Sequence, residues 1–221
     1  MICGLPVTDV EVAMDPHYTL GEPMKSLLAT ILLVAISSTA TAQETPEQPL
    51  SAFSVSTDSL TWVIDGYSVI GTYESRTQPY LRYHVEVFGI KLPESLIDGY
   101  EPNTGEGWQR RIDGAIMLSV DYHPFANLHG LHFGGGFNLQ RSTVSRGGTE
   151  TSQFATFEPV VRAGFQWFPF DQGLFLSPYF VLGFPFHLSE PQAIDGEVYE
   201  EAAILPVGSV QIGWRFPSRN E

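Results

Sequence analysis

The chain is poor in three things, and each shortage narrows what it can be. Cys3 is the only cysteine among 221 residues, so neither a disulfide framework nor a thiolate metal site is available. Basic residues are scarce: 11 Lys and Arg stand against 25 Asp and Glu, a net charge of −14. Nucleic acid needs the opposite balance, because its phosphates must be neutralised. Long apolar runs are missing as well. Hydrophobic residues are 43% of the chain, yet no stretch approaches the roughly 20 apolar residues of a membrane-spanning helix.

Glycine (21 residues), aromatics (13%) and apolar residues at alternate positions are plentiful instead. Residues 111–123 are the clearest case. Their even positions (Ile112, Gly114, Ile116, Leu118, Val120, Tyr122) are apolar or small, while the odd ones include Arg111, Asp113, Ser119, Asp121 and His123. Successive strand side chains point to opposite faces, so this spacing predicts a strand with one oily and one ionic face. Its length exceeds the roughly five or six residues of a globular strand and suits the roughly 9–11 of a tilted membrane strand.

Seven further segments read as strands: 53–64, 66–74, 78–90, 131–142, 152–168, 174–188 and 203–216. The first two join at Asp65-Gly66, a two-residue hairpin signal. The run Ser56-Thr57-Asp58-Ser59 is equally the pattern that caps a short helix from Leu60. Pro159, Pro178, Pro185 and Pro206 lie inside these segments and are expected at bulges or strand ends, since each removes a ladder donor. Connections 75–77, 124–130 and 169–173 are short or moderate, 91–110 and 189–202 are long, and 143–151 is Gly-rich and polar. Short turns on one side and longer loops on the other are the pattern of an outer-membrane barrel. The fold class is therefore all-β, an antiparallel up-and-down transmembrane barrel of about eight strands.

The N-terminal region reads as processing. Met24-Lys25, the apolar run 27–36 and Ala40-Thr41-Ala42 make a signal peptide over 24–42, cleaved after Ala42. Residues 1–23 are expected to be an upstream extension ahead of a true start at Met24. A periplasmic lead-in (43–52), the barrel (53–216) and a tail (217–221) follow.

Alternation alone does not say whether the oily face meets lipid or a core, and a soluble lipocalin-type barrel binding an apolar ligand has a similar strand count. Aromatics gather near strand ends (Tyr73, Tyr80, Tyr122, Trp167, Trp214, Phe216), as an interfacial girdle requires. The other face carries both signs of charge: Arg82, His84, Glu86, Arg111, Asp113, Asp121, His132, Glu158, Arg162 and Arg215. Inside a narrow barrel such groups can pair, which offsets part of the cost of burying them. Lipid outside is the better reading.

With a signal peptide, eight strands and a last strand alternating up to Phe216, the chain resembles the small eight-stranded outer-membrane barrels of diderm bacteria. The resemblance implies an outer-membrane location, contact with outer-membrane lipid and lipopolysaccharide, and recognition of the strand from Val207 to Phe216 by the barrel assembly machinery. The tail after Phe216 departs from that family, which usually ends at the aromatic.

Chemistry-bearing patterns are weak. His123, His129 and His132 cluster around one turn, but no carboxylate pattern fixes a metal geometry, so neither metal nor cofactor is expected. Gly134-Gly135-Gly136 lacks the GK[ST] ending of a phosphate loop and reads as a place where the wall bends. Ser119, His84 and His132, with Asp121 or Glu86, supply the residue types of nucleophile, base and orienter. Some members of the resembled family are lipid A-modifying enzymes using Ser and His, but their motifs do not match here; ionic packing is expected. The connection 189–202 holds Glu190, Asp195, Glu197, Glu200 and Glu201 and no basic residue. It reads as a solvated loop, with divalent-cation contact to anionic lipopolysaccharide as the functional alternative. The expectation is a non-enzymatic barrel serving envelope integrity or surface interaction through its outward loops.

Overall fold

The computed structural model describes residues 51–217, apart from 93, 95–96, 98–106, 126–128, 148–149 and 171–172. The expected upstream extension, signal peptide, nearly all of the lead-in and the tail beyond Pro217 lie outside those residues, as does most of the connection 91–110. In chain order the elements are β1 (Ala52–Asp58), α1 (Ser59–Val63), β2 (Tyr67–Glu74), β3 (Leu81–Leu92) and β4 (Trp108–Tyr122), then β5 (Gly130–Arg146), β6 (Glu150–Gln166), β7 (Leu174–Gly183), β8 (Phe186–Ser189) and β9 (Leu205–Pro217).

Neighbouring strands pair antiparallel in the order β5-β4-β3-β2-β1-β9-β7-β6, and β5 pairs with β6 to close the ring. Strand β8 prolongs the stave begun by β7 and pairs with β6, so the wall has eight staves. Closure satisfies every stave on both sides and leaves no edge to template aggregation.

The polarity of this barrel is inside out relative to a soluble one. Inward positions carry buried Ser54, Thr72, Glu74, Arg82, His84, Asp121, His132, Glu158 and Arg162, whereas Val69, Val87, Leu139, Val161, Ile212 and Trp214 stand half-exposed on the outer wall. Buried charge and exposed apolar surface are the informative deviations from globular behaviour. In 174–188 Phe186 and Leu188 stand exposed on the outside, while Phe175 and Tyr179 are buried.

Four details differ from the sequence reading, each for a local reason. The first strand stops at Asp58, because its carboxylate accepts from the Leu60 amide at 2.9 Å and its carbonyl accepts from the Thr61 hydroxyl at 2.8 Å. That is an N-cap, and α1 takes over from the strand. The stave 174–188 breaks at Phe184-Pro185. There the Phe184 amide bonds to the Pro159 carbonyl at 3.0 Å, and Pro159 sits where β6 changes partner from β7 to β8, so its missing donor goes unneeded. The connection after the fifth strand is shorter than expected, since β5 runs to Arg146 and β6 resumes at Glu150.

The fourth difference matters most. Between the pairs Ile112↔Ser142 and Gly114↔Arg141, β4 holds an extra residue, Asp113; β3 registers the same slip between Phe88 and Ile90. A bulge of one residue inverts the facing of everything beyond it. Below it Ala115, Met117, Ser119 and Asp121 face inward; above it Trp108, Arg110 and Ile112 do. Arg111 and Asp113 therefore leave the lumen for the outer wall, with side chains 64% and 23% exposed.

Above the lumen, the tall staves β4, β5 and β6 carry a second core. Ile97, Trp108, Val144, Phe154, Ile194 and Tyr199 are buried together. Trp108 and Tyr199 rings lie 5.4 Å apart, and Arg110 and Arg146 sit over Phe154 and Trp108. The segment between β8 and β9 closes this core. It is tied by a reciprocal Ile194–Glu197 bridge around Asp195-Gly196, both at positive φ, and by the Gln192 amide on Ser152 Oγ at 2.7 Å. Positive φ at consecutive turn residues is the mark of a tight primed hairpin turn.

Candidate functional site

The lumen is built in layers of inward side chains, two residues apart on each stave. Nearest the chain termini, Glu74 of β2 accepts from Arg215 Nε and Nη2 at 3.0 Å each and meets Arg82 Nε at 3.6 Å. One layer further, Asp121 of β4 gathers three partners: His84 Nε2 and His132 Nδ1 at 3.1 Å, and Arg162 Nε at 3.4 Å. His84 reaches on to Thr72 Oγ1 at 2.9 Å, and His132 Nε2 to Ser177 Oγ at 3.3 Å.

Arg162 then stacks over Tyr179, 4.8 Å to the ring centroid. The Tyr179 hydroxyl donates to Asp58, which also accepts from Ser209 and caps α1. Elsewhere in the lumen Asn138 donates to Glu158 at 3.0 Å and to Gln140 at 3.4 Å. Glu86 is buried between the register partners Ile70 and Met117. The network thus links all eight staves, and the two members of each charge pair come from different strands.

Close approach of backbones makes room for it. A Cβ on Gly134 would strike Asp121 and the Val120 carbonyl, and one on Gly164 would strike His132. These inward glycines let long polar side chains fold across the neighbouring stave.

Of the ten residues predicted for the lumen, Arg82, His84, Glu86, Asp121, His132, Glu158, Arg162 and Arg215 face it. Arg111 and Asp113 do not, because of the bulge. Glu74, Thr72, Asp58, Ser177 and Tyr179 belong to it and were missed. Thr72 and Glu74 were readable from the alternation with Val69 and Tyr73. Ser177 and Tyr179 were masked by the apolar run around them. The aromatics Tyr73, Tyr80, Tyr122, Trp167, Trp214 and Phe216 lie on the outer wall, each about half-exposed, near the end that carries the termini.

Two chemical readings of the central layer can be weighed. Ser177–His132–Asp121 has the connectivity of nucleophile, base and orienter. The free space beside it, however, is about 10 Å³, room for a single water and no acyl chain. Asp121, His123 and His132 also place one ligand atom each within 4.8 Å of one another, with the two imidazoles stacked at 5.2 Å. Arg162 already supplies the cation that Asp121 needs. His129 lies apart, its ring edge against Phe168 and its Nδ1 accepting from the Phe168 amide.

In the acidic connection Glu190, Asp195, Glu197 and Glu200 are exposed, and of its acidic side chains Glu201 alone is buried. Glu201 is buried against Arg110 and His187, Glu197 pairs with Arg146 at 2.7 Å, and Glu190 with His187 at 2.9 Å. Its carboxylates form no three-ligand cluster among the described residues. The basic partners come from β4, β5 and β8, which the local sequence could not reveal.

No protein-family model matches the chain, and no curated protein does. Among solved structures the chain is similar to Neisserial surface protein A, at 13% identity and a TM-score of 0.43, over 76% of this chain and 96% of that one. It is also similar to a major outer membrane protein from Thermus thermophilus, at 13% identity and a TM-score of 0.41, over 75% and 99%.

Proposed function

We propose that this closed, inverted barrel spans a bacterial outer membrane and works without catalysis, by the folded surface it presents at the end away from its termini. The carrying observation is the polarity of the wall: paired charges inside, apolar side chains outside. On β6 the outward residues from Phe157 to Trp167 are apolar without exception. Ten residues at roughly 3.3 Å each, tilted by about 40°, rise roughly 25 Å, the height of a membrane-barrel apolar band.

Conduction is disfavoured by the crossing ion pairs and the single-water space in the lumen. Lipid hydrolysis is disfavoured by the same lack of room beside Ser177. The packed core around Trp108 and Tyr199 favours a defined outward surface for envelope integrity or interaction.

The test is fractionation with gel mobility and planar-bilayer recording. The expected result is recovery in the outer-membrane fraction, an unboiled band that migrates differently from the boiled one, and no stepwise conductance. Protein found wholly in the soluble periplasm would overturn the reading.

A further inference from the structure

Four arginines of the barrel, Arg82, Arg110, Arg162 and Arg215, are turned into its interior. Arg111 and Arg141 face outward instead, and Lys91 stands opposite Arg111 in the β3–β4 ladder, on the same face. They occur together at one height, where the outward residues of β3, β4 and β5 change from Val87, Ile116 and Leu139 to charged groups. At that height the wall has a recess of about 570 Å³, lined by Asp65, Tyr67, Ile90, Arg111, Asp113 and Arg141 among others. The bulge in β4 forms its side, and bulges recur where a side chain must be re-aimed.

We infer that this recess binds the phosphate of an anionic lipid, with the lipid's acyl chains lying on the apolar wall below. The inference rests on the membrane-spanning reading and adds a ligand to it. Asp113 does not cancel the site. Its Oδ1 takes Arg111 Nε at 2.6 Å and its Oδ2 takes the Thr143 hydroxyl at 2.6 Å, which orients the Arg111 guanidinium through one of its five donors. Arg141 donates to the amide oxygen of Gln153, a neutral partner, and keeps its charge uncompensated by any carboxylate contact among the described residues. Two guanidinium forks facing one recess suit a tetrahedral oxyanion, which accepts paired N–H bonds. Where the apolar band ends is where lipid phosphates lie.

The experiment uses the full barrel in a zwitterionic detergent, with retention of added phosphatidylglycerol and phosphatidylcholine read by native mass spectrometry. Phosphatidylglycerol is expected to be retained about tenfold better, in line with the strength of hydrogen bonds to charged groups. The double variant Arg111→Gln/Arg141→Gln should lose that preference. Gln153→Glu, which places a carboxylate against Arg141 while removing no arginine, should weaken it as well. Each variant is first checked for the band shift on boiling. Equal retention of both lipids by the unaltered protein, or a preference untouched in a folded variant, overturns the inference. Displacement of phosphatidylglycerol by millimolar inorganic phosphate overturns it in favour of a free-anion site. A soluble protein with no boiling-dependent shift would instead remove the membrane reading beneath it, a failure visible before any lipid is added.

Discussion

Arg110 on β4 and Glu201 in the segment before β9 form an ion pair in which each side chain is 1% exposed. Glu201 Oε2 also meets His187 Nε2 at 3.0 Å and the Thr156 hydroxyl at 3.3 Å. One carboxylate therefore ties the segment to three of the staves it covers. Breaking a buried pair strands the remaining charge, at a cost of about 3–5 kcal/mol. Glu201→Ala should open residues 190–204 to added protease while the strands of the closed wall stay resistant. Replacing both partners by Met should restore most of the protection, because an apolar pair of similar volume strands no charge. Cleavage mapping of the two variants checks this.

The outer wall gives a depth-dependent test. Val161 is half-exposed at mid-height of β6, and Thr151 is exposed near its top. Val161→Arg should destabilise by about 2–4 kcal/mol and Thr151→Arg by about 0–1 kcal/mol, if lipid surrounds the first and water the second. Folding titrations in lipid vesicles read the difference directly. Equal costs would argue against a bilayer around β6.

Glycine positions separate close approach from mere presence. Gly134→Ala would push a methyl into the Val120 carbonyl and Asp121, both fixed by the wall, whereas a methyl on Gly114 would meet nothing within 4 Å. The first substitution should abolish the boiling-sensitive form or sharply lower its conversion temperature, and the second should leave it unchanged. Gel mobility against temperature measures both.

Asp121 and Ser177 share a hydrogen-bonded chain but should respond differently. Asp121→Asn removes the charge that balances Arg162, and should cost about 3 kcal/mol or more. Ser177→Ala removes one hydrogen bond of His132, worth about 1 kcal/mol. Neither should alter the lipid A species extracted from cells. A change in those species on Ser177→Ala would turn the Ser177–His132–Asp121 chain from packing into an active site.

How much of this was legible in the sequence varied with the locality of its cause. The facing of Arg82, His84, Asp121 and Arg162 followed from period-two alternation, which holds wherever a strand is regular. The facing of Arg111 and Asp113 did not, because an extra residue inverts phase without disturbing the written pattern. The end of β1 lay in a local capping signal at Asp58 that competed with an equally local hairpin signal at Asp65-Gly66. The packing of the acidic segment depended on Arg110, Arg146 and His187 on other strands. Long-range pairing of that kind has no local trace.

Strand lengths around the ring carry one more consequence. β1 and β2 have 7 and 8 residues, β5 and β6 have 17 each, and β5 stands four staves from β1 in a ring of eight. The wall is low on one flank and tall on the opposite one, so on the membrane-spanning reading proposed above the molecule has a heading within the plane of the bilayer. A neighbour approaching from the side meets a tall parapet on the β5 flank and a low step on the β1 flank. Any assembly of copies in that plane is directional from the outset, with the two flanks unequal before a single contact is made.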